Sequence, residues 1–161
     1  MFLTQPTKAF ALEKANMAKT YLLYDSEYTE KTGCLFVLGY FTLAIKNFVF
    51  EQVLSKGKRK KLLGMTSVET DNVPGYLIGQ LAKNSDITFH CEMINLHIIL
   101  QEAIKRVVRA QQHVGGRFVF LDCKKDNLKV HEMYLQEGFA DYQDITGYDG
   151  VEYVQMVRLI K

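Results

Sequence analysis

Apolar residues recur along this chain in two rhythms. Between Leu35 and Ile45 they run almost unbroken and are rich in Val, Tyr, Phe and Thr, which predicts a central strand covered on both faces. Between about Glu92 and His113 the period lengthens. There Leu96, Ile99, Leu100, Ala103, Ile104 and Val107 form a stripe, and Gln101, Glu102, Lys105, Arg106 and Arg109 lie across from it. This spacing predicts a long amphipathic helix, with Gly115 and Gly116 supplying a left-handed stop. The same signals predict a modest helix over Lys8 to Lys19, behind Pro6 and Thr7, and a short helix from Asn127 to Glu137 closed by Gly138. Further strands are expected over Tyr21 to Tyr24, from Pro74 and Gly75 through Ala82, over Arg117 to Cys123, and over Val151 to Ile160.

Strand, long helix and strand between Gly75 and Cys123 make a crossover unit, which sets its two strands parallel with a right-handed connection. The flanking strands have short connections and can run antiparallel. The expected fold class is therefore α/β, a mixed and mostly antiparallel central sheet with one parallel βαβ crossover and helices on both faces. At 161 residues the chain suits one domain spanning 1–161. Within the segment Asn47 to Leu63, the run Lys56, Gly57, Lys58, Arg59, Lys60, Lys61 breaks the sheet pattern and reads as a solvated excursion. Contact with nucleic acid or an acidic partner is the lesser alternative for that run.

Composition narrows the picture only a little. A net charge of +2 names no partner and argues against a dedicated nucleic-acid binder. Cys34, Cys91 and Cys123 are widely spaced and form no CxxC pair, so they read as structural thiols of a reducing cytoplasm, without zinc. The four histidines lack metal-ligand spacing, and no metal is expected. The start MFLTQPTKAF has no secretion-signal order and no apolar stretch is long enough to span a bilayer, so a cytoplasmic protein without membrane contact is expected.

Two stretches carry chemistry. Val73 to Ala82 reads VPGYLIGQLA, and Asn127 to Phe139 reads NLKVHEMYLQEGF. Together with the order of elements, they resemble the GNAT superfamily of N-acetyltransferases over most of the chain, from about Phe10 to the end. Asn127, Val130, Met133, Tyr134, Gly138 and Phe139 fall in register with the family's pattern. The resemblance implies acetyl-CoA as cosubstrate and transfer of its acetyl group to a primary amine by direct attack. It implies that the exposed backbone of Leu81, Ala82 and Lys83 orients the acetyl and pantetheine groups. Tyr134 is implied as the acid that protonates the departing thiolate, and Asn127 as a contact to the pantetheine or as a helix cap.

The chain departs from the family at the pyrophosphate loop. Where the family has a glycine-rich turn, Asn84 to Asn95 reads NSDITFHCEMIN and contains no glycine, with Asn95 and Leu96 as the aligned residues. Asn95 is the remaining hydrogen-bonding candidate for the coenzyme there, and Lys83 the nearest cation. For the family's first strand two expectations stand, that it is absent or that the chain begins inside the domain, and a missing edge strand would invite coverage by another element or a partner. Glu69 and Asp71 are the nearest candidates for the base that deprotonates the amine, Glu69 being the choice. The acceptor amine is left unidentified, and a homodimer is one expectation for assembly. The alternative reading is a GNAT-like binding or assembly module that does not use acetyl-CoA.

Overall fold

The computed structural model describes residues 11–64, 70–84 and 94–160. Its elements run β1 (Lys19–Tyr24), α1 (Ser26–Thr32), β2 (Val37–Val49), α2 (Lys56–Leu63), β3 (Asn72–Lys83), α3 (Leu96–Val114), β4 (Phe118–Lys124), α4 (Leu128–Gln136), β5 (Ala140–Thr146) and β6 (Glu152–Leu159). The six strands form one sheet in the order β1-β2-β3-β4-β6-β5. The pairs β1/β2, β4/β6 and β5/β6 are antiparallel, while β3 and β4 pair in parallel at Tyr76↔Val119 and Leu77↔Phe120. The expected crossover is thus present, with α3 as its connection.

Several expected boundaries shift, each for a local reason. The first helix covers 11–14 of the described residues and gives way at Asn16, which adopts φ 55°, so that Lys19 already belongs to β1. The basic run is a helix rather than a solvated excursion. Ser55 caps α2 by accepting from the Lys58 N–H, and Leu62, fully buried, anchors its last turn. β5 has no counterpart among the expected elements. Its register shifts between Asp141 and Gln143, so that adjacent Tyr142 and Gln143 are both buried and the alternation that marks a strand is lost. The polar helix α1 buries no side chain and rests on its ends, the Asp25 cap and Gly33 at φ 71°.

By compactness the chain divides into Met1–Ala44 with Ile78–Val107, and Ile45–Leu77 with Val108–Lys161. In the first unit, Tyr21 stacks on Phe41 at a centroid distance of 5.0 Å and the Arg106 guanidinium lies 5.2 Å over the Tyr21 ring. The α3 stripe Ile99, Leu100, Ala103, Ile104 and Val107 is buried as the periodicity requires. Each buried Ile, Leu or Val of this stripe contributes about 1.5–3 kcal/mol of transfer free energy.

The core of the second unit is aromatic. Phe48 sits at its centre, fully buried, with Phe50, Phe118, Phe120 and Tyr142 around it at 5.3 to 6.3 Å, mostly edge to face. Leu54 and Leu62 close this cluster from the side of α2. Phe118 and Phe120 therefore face α2, and by strand alternation Val119, Leu121 and Cys123 face the opposite side, where α4 packs. Helices cover both faces of the sheet, as expected.

Candidate active site

The short helix α4 is built to hold one tyrosine. Asn127 opens it, its side-chain oxygen accepting from the Val130 N–H at 3.4 Å. Gly138 at φ 81° ends it, and the Phe139 N–H returns to the Tyr134 carbonyl at 3.0 Å. The bracket turns Tyr134 inward, with its ring 5.9 Å from that of Phe139 and only 8% exposed. Burial, with a smaller contribution from the neighbouring Cys123, pushes the phenol up to about 12. Cys123, on the α4 side of β4, is itself buried, and that burial raises its thiol, helped by the charges of Asp141 and Asp126. Every fully buried side-chain nitrogen and oxygen among the described residues has a hydrogen-bond partner. The Tyr134 hydroxyl makes no hydrogen bond to a described residue.

His131, one turn before Tyr134, is satisfied by Asp141, its Nε2 lying 2.8 Å from Oδ1. Asn127 acts as the cap that its residue type favours. Its amide nitrogen is left over for a further partner.

At the end of β3, Leu81, Ala82 and Lys83 are half-buried. The next residue, Asn84, donates its backbone N–H to Leu38 at 2.9 Å and its side-chain amide to Val37 at 3.0 Å. Because backbone groups alternate along a strand, those of Ala82 face β2 with those of Asn84, and those of Leu81 and Lys83 face the other way. Only Leu81 and Lys83 of the three thus turn their N–H and C=O away from β2. Asn95 caps α3, its side-chain oxygen accepting from the Ile98 N–H at 2.9 Å. The expected base Glu69 lies outside the described residues, as does 85–93 of the glycine-free stretch. Asp71 is exposed, and its backbone carbonyl accepts from the Phe50 N–H.

A polar chain that the sequence did not single out crosses the second unit. Gln143, buried on β5, donates to the Val49 carbonyl and to Gln155 Oε1, each at 2.7 Å, and accepts from the Glu51 N–H at 3.0 Å. Gln155 then donates to Asp122 Oδ1 at 2.9 Å. The one signal for it in the sequence is Asp122 itself, the first polar residue of FVFLDCK.

Among the described residues, no helix is long and apolar enough to cross a membrane and no cluster is suited to a metal. No family model and no curated protein matches the chain. Solved structures do. The AtaTR complex bound with acetyl-CoA matches with a TM-score of 0.59 at 21% identity, over 92% of this chain and 75% of that one. A tyrosine-to-phenylalanine mutant of KacT matches with a TM-score of 0.61 at 19% identity, over 93% and 78%. The NatC complex bound to Gag peptide and CoA matches with a TM-score of 0.52 at 15% identity, over 88% and 71%. Likeness at these identities speaks to architecture, and its conclusion is that the chain has the fold of the GNAT acetyltransferases.

Proposed function

We propose that the chain is an acetyl-CoA-dependent N-acetyltransferase that passes an acetyl group to a primary amine by direct attack. The observation that carries this reading is Tyr134, a buried phenol on the Asn127-to-Gly138 helix whose hydroxyl has no hydrogen-bond partner among the described residues and whose proton is held up to about 12. Acetyl-CoA would supply an acetyl carbon whose leaving group is a thiolate. Leu81 and Lys83 present the backbone groups suited to orienting the acyl carbonyl and the pantetheine amides, and Lys83 brings a cation. Asn127 and Asn95 each keep a side-chain amide to donate to the coenzyme.

The acid's strength sets how it acts. A proton moving from a group near 12 to an ordinary thiolate near 8.5 goes uphill by on the order of 5 kcal/mol. Yet the Cys123 thiol beside Tyr134 is itself raised by burial, and a coenzyme thiolate in the same surroundings would be raised too. Tyr134 therefore donates a hydrogen bond to sulfur as charge grows and yields its proton only once the carbon–sulfur bond has broken.

Calorimetric titration with acetyl-CoA, joined to thiol release over a panel of primary amines, tests this. Micromolar binding is expected, with Tyr134→Phe binding alike and releasing thiol about a hundredfold more slowly. No binding at millimolar acetyl-CoA overturns the reading and leaves a GNAT-like binding module.

One observation favours a narrower acceptor. On α2, Lys58 and Arg59 turn their charges to backbone carbonyls and to the Tyr142 and Phe50 rings, while Lys56, Lys60 and Lys61 meet no carboxylate among the described residues. Similar folds belong to the AtaT toxin, seen with its antitoxin AtaR and in an AtaT–AtaR complex bound to DNA. An amine carried on a polyanion, as on an aminoacylated RNA, suits such a helix. Binding to RNA that weakens steeply between 50 and 200 mM salt supports this reading, and salt-independent or absent binding removes it.

A further inference from the structure

We propose that the outer edge of β1 is an interface with a second copy of this chain, the two β1 strands pairing antiparallel about a two-fold axis with Leu22 opposite the partner's Tyr24. The inference stands apart from the acetyl-transfer reading and does not need it. β1 ends the sheet order and pairs only with β2. The Asp25 N–H donates at 3.1 Å to the carbonyl of Phe36, the residue before β2. By alternation Lys19, Tyr21 and Leu23 also turn their backbone groups to β2, and Thr20, Leu22 and Tyr24 turn theirs outward. Thr20 agrees with this, since its N–H donates not to β2 but to a Glu13 carboxylate oxygen at 2.6 Å. The outward N–H and C=O groups of Leu22 and Tyr24 have no partner among the described residues.

The side chains of this edge suit a partner strand. From Thr20 to Tyr24 it reads TYLLY, with none of the charges, prolines or bulges that blunt an exposed edge, for the extra residue of the β1/β2 irregularity, Leu38, belongs to β2. Tyr21 stacks on Phe41, while Leu22 and Tyr24, on the opposite face, are 50% and 51% exposed. The edge formed by β5 differs. It is bulged at Tyr142, and Lys58 Nζ occupies the Asp141 and Tyr142 carbonyls at 2.7 and 3.0 Å. The complement of a β1 edge is therefore another β1, an isologous contact that closes at two copies. Charge points the same way. Before the strand, Glu13, Lys14 and Lys19 are net positive, and after it Asp25, Glu27, Glu30 and Lys31 are net negative. Antiparallel copies set these unlike ends side by side.

Glu13 selects the register. Pairing Leu22 with the partner's Leu22 would set Tyr24 opposite the partner's Thr20, whose N–H a glutamate already holds. Pairing Leu22 with the partner's Tyr24 leaves Thr20 outside the ladder, and Leu22 and Tyr24 of both copies then exchange all their free N–H and C=O groups. Leu23 faces the partner's Leu23 across the axis as a non-hydrogen-bonded pair, with Cα atoms about 4.5 Å apart. The exposed Leu22 and Tyr24 side chains cover one another on one face of the joined sheets. So short an overlap lies at the low end of interface size and makes a weak dimer, with a dissociation constant in the micromolar range.

The test joins sedimentation velocity on the full chain, from about 1 to 200 µM, to disulfide trapping with a copper–phenanthroline oxidant. Trapping uses a Cys34→Ser parent, because Cys34 is exposed. The wild type should pass from monomer toward dimer as concentration rises, and Leu22→Lys should stay monomeric throughout while melting as the wild type does. Leu23→Cys should trap a covalent dimer that the parent does not form. Leu22→Cys should trap none, since its two copies lie more than about 7 Å apart, beyond the reach of a disulfide. Adding Glu13→Ala should free the Thr20 N–H and raise trapping at Leu22→Cys. A wild type that stays monomeric, or a dimer that survives Leu22→Lys and is not trapped at Leu23→Cys, overturns the interface. Trapping at Leu22→Cys rather than Leu23→Cys, with Glu13 in place, overturns the register. Should Leu22→Lys melt low, the two cysteine variants still decide, and acetyl transfer is untouched by either result.

Discussion

The ring of Tyr76 lies against Gly116, and its hydroxyl donates a hydrogen bond to the carbonyl of Gly115. A side chain on β3 thus satisfies a carbonyl just past the end of α3, in the turn that leads into β4. The two glycines are fixed by this contact for different reasons. Gly115 needs its φ of 75° and has open space around it, whereas a Cβ on Gly116, at φ 115°, would stand 2.4 Å from the Tyr76 ring. Gly116→Ala should therefore cost about 2–4 kcal/mol, a left-handed penalty plus overpacking, and Gly115→Ala only about 1 kcal/mol. Urea denaturation of the pair checks the order, and equal losses would contradict the ring contact.

Tyr134 should leave a mark on stability at high pH. Its phenol titrates near 10 when unfolded and at about 12 when folded. Between these values the unfolded chain has lost a proton that the folded chain keeps, so stability falls as pH rises from about 10 to about 12 and is untouched below. Tyr134→Phe should remove a loss on the order of 2 kcal/mol over that window. Melting temperatures at pH 8, 10 and 11 measure it, and an identical decline in both proteins would refute the buried phenol.

Gln143 makes its three hydrogen bonds to parts of the chain distant in sequence. Gln143→Leu would strand the Val49 carbonyl and the Glu51 N–H and should cost about 2–4 kcal/mol. Gln143→Glu keeps the shape but removes a donor that serves two acceptors, and should be no better tolerated. Chemical denaturation with both variants reads the difference from wild type.

Asn127 has a cap to make and an amide to spare. Asn127→Ala should lose about 1 kcal/mol of stability. Asn127→Asp caps equally well but offers no amide hydrogens, so it should keep stability and, if the pantetheine is its second partner, bind acetyl-CoA about tenfold more weakly. Unchanged affinity in Asn127→Asp would limit the residue to capping.

What was legible in the sequence was what a single element declares by itself. The α3 stripe, the two-sided strand β2 and the bracket from Asn127 to Gly138 each carry their own signal, and together they sufficed for the crossover. β5 was not legible, because the shift between Asp141 and Gln143 buries two neighbours in succession and erases the alternation. Helix α2 was hidden by cations that look solvated in sequence, although Lys58 and Arg59 reach back over aromatic rings and carbonyls. The polar chain through Asp122 is hidden for a related reason. Its members Asp122, Gln155 and Gln143 are brought together only by the pairing of β4, β6 and β5.

Gly39 occupies the middle of an apolar strand where nothing in its φ calls for glycine. A methyl group there would meet Ile99 Cδ1 at 2.6 Å and the Ala82 carbonyl at 2.9 Å. Ile99 belongs to the first turn of α3, whose N–H groups lie at the positive end of the helix dipole. The missing methyl is thus what lets that electropositive terminus settle close to the strand segment bearing Leu81 and Lys83. Any larger residue at 39 would raise the helix start off the strands.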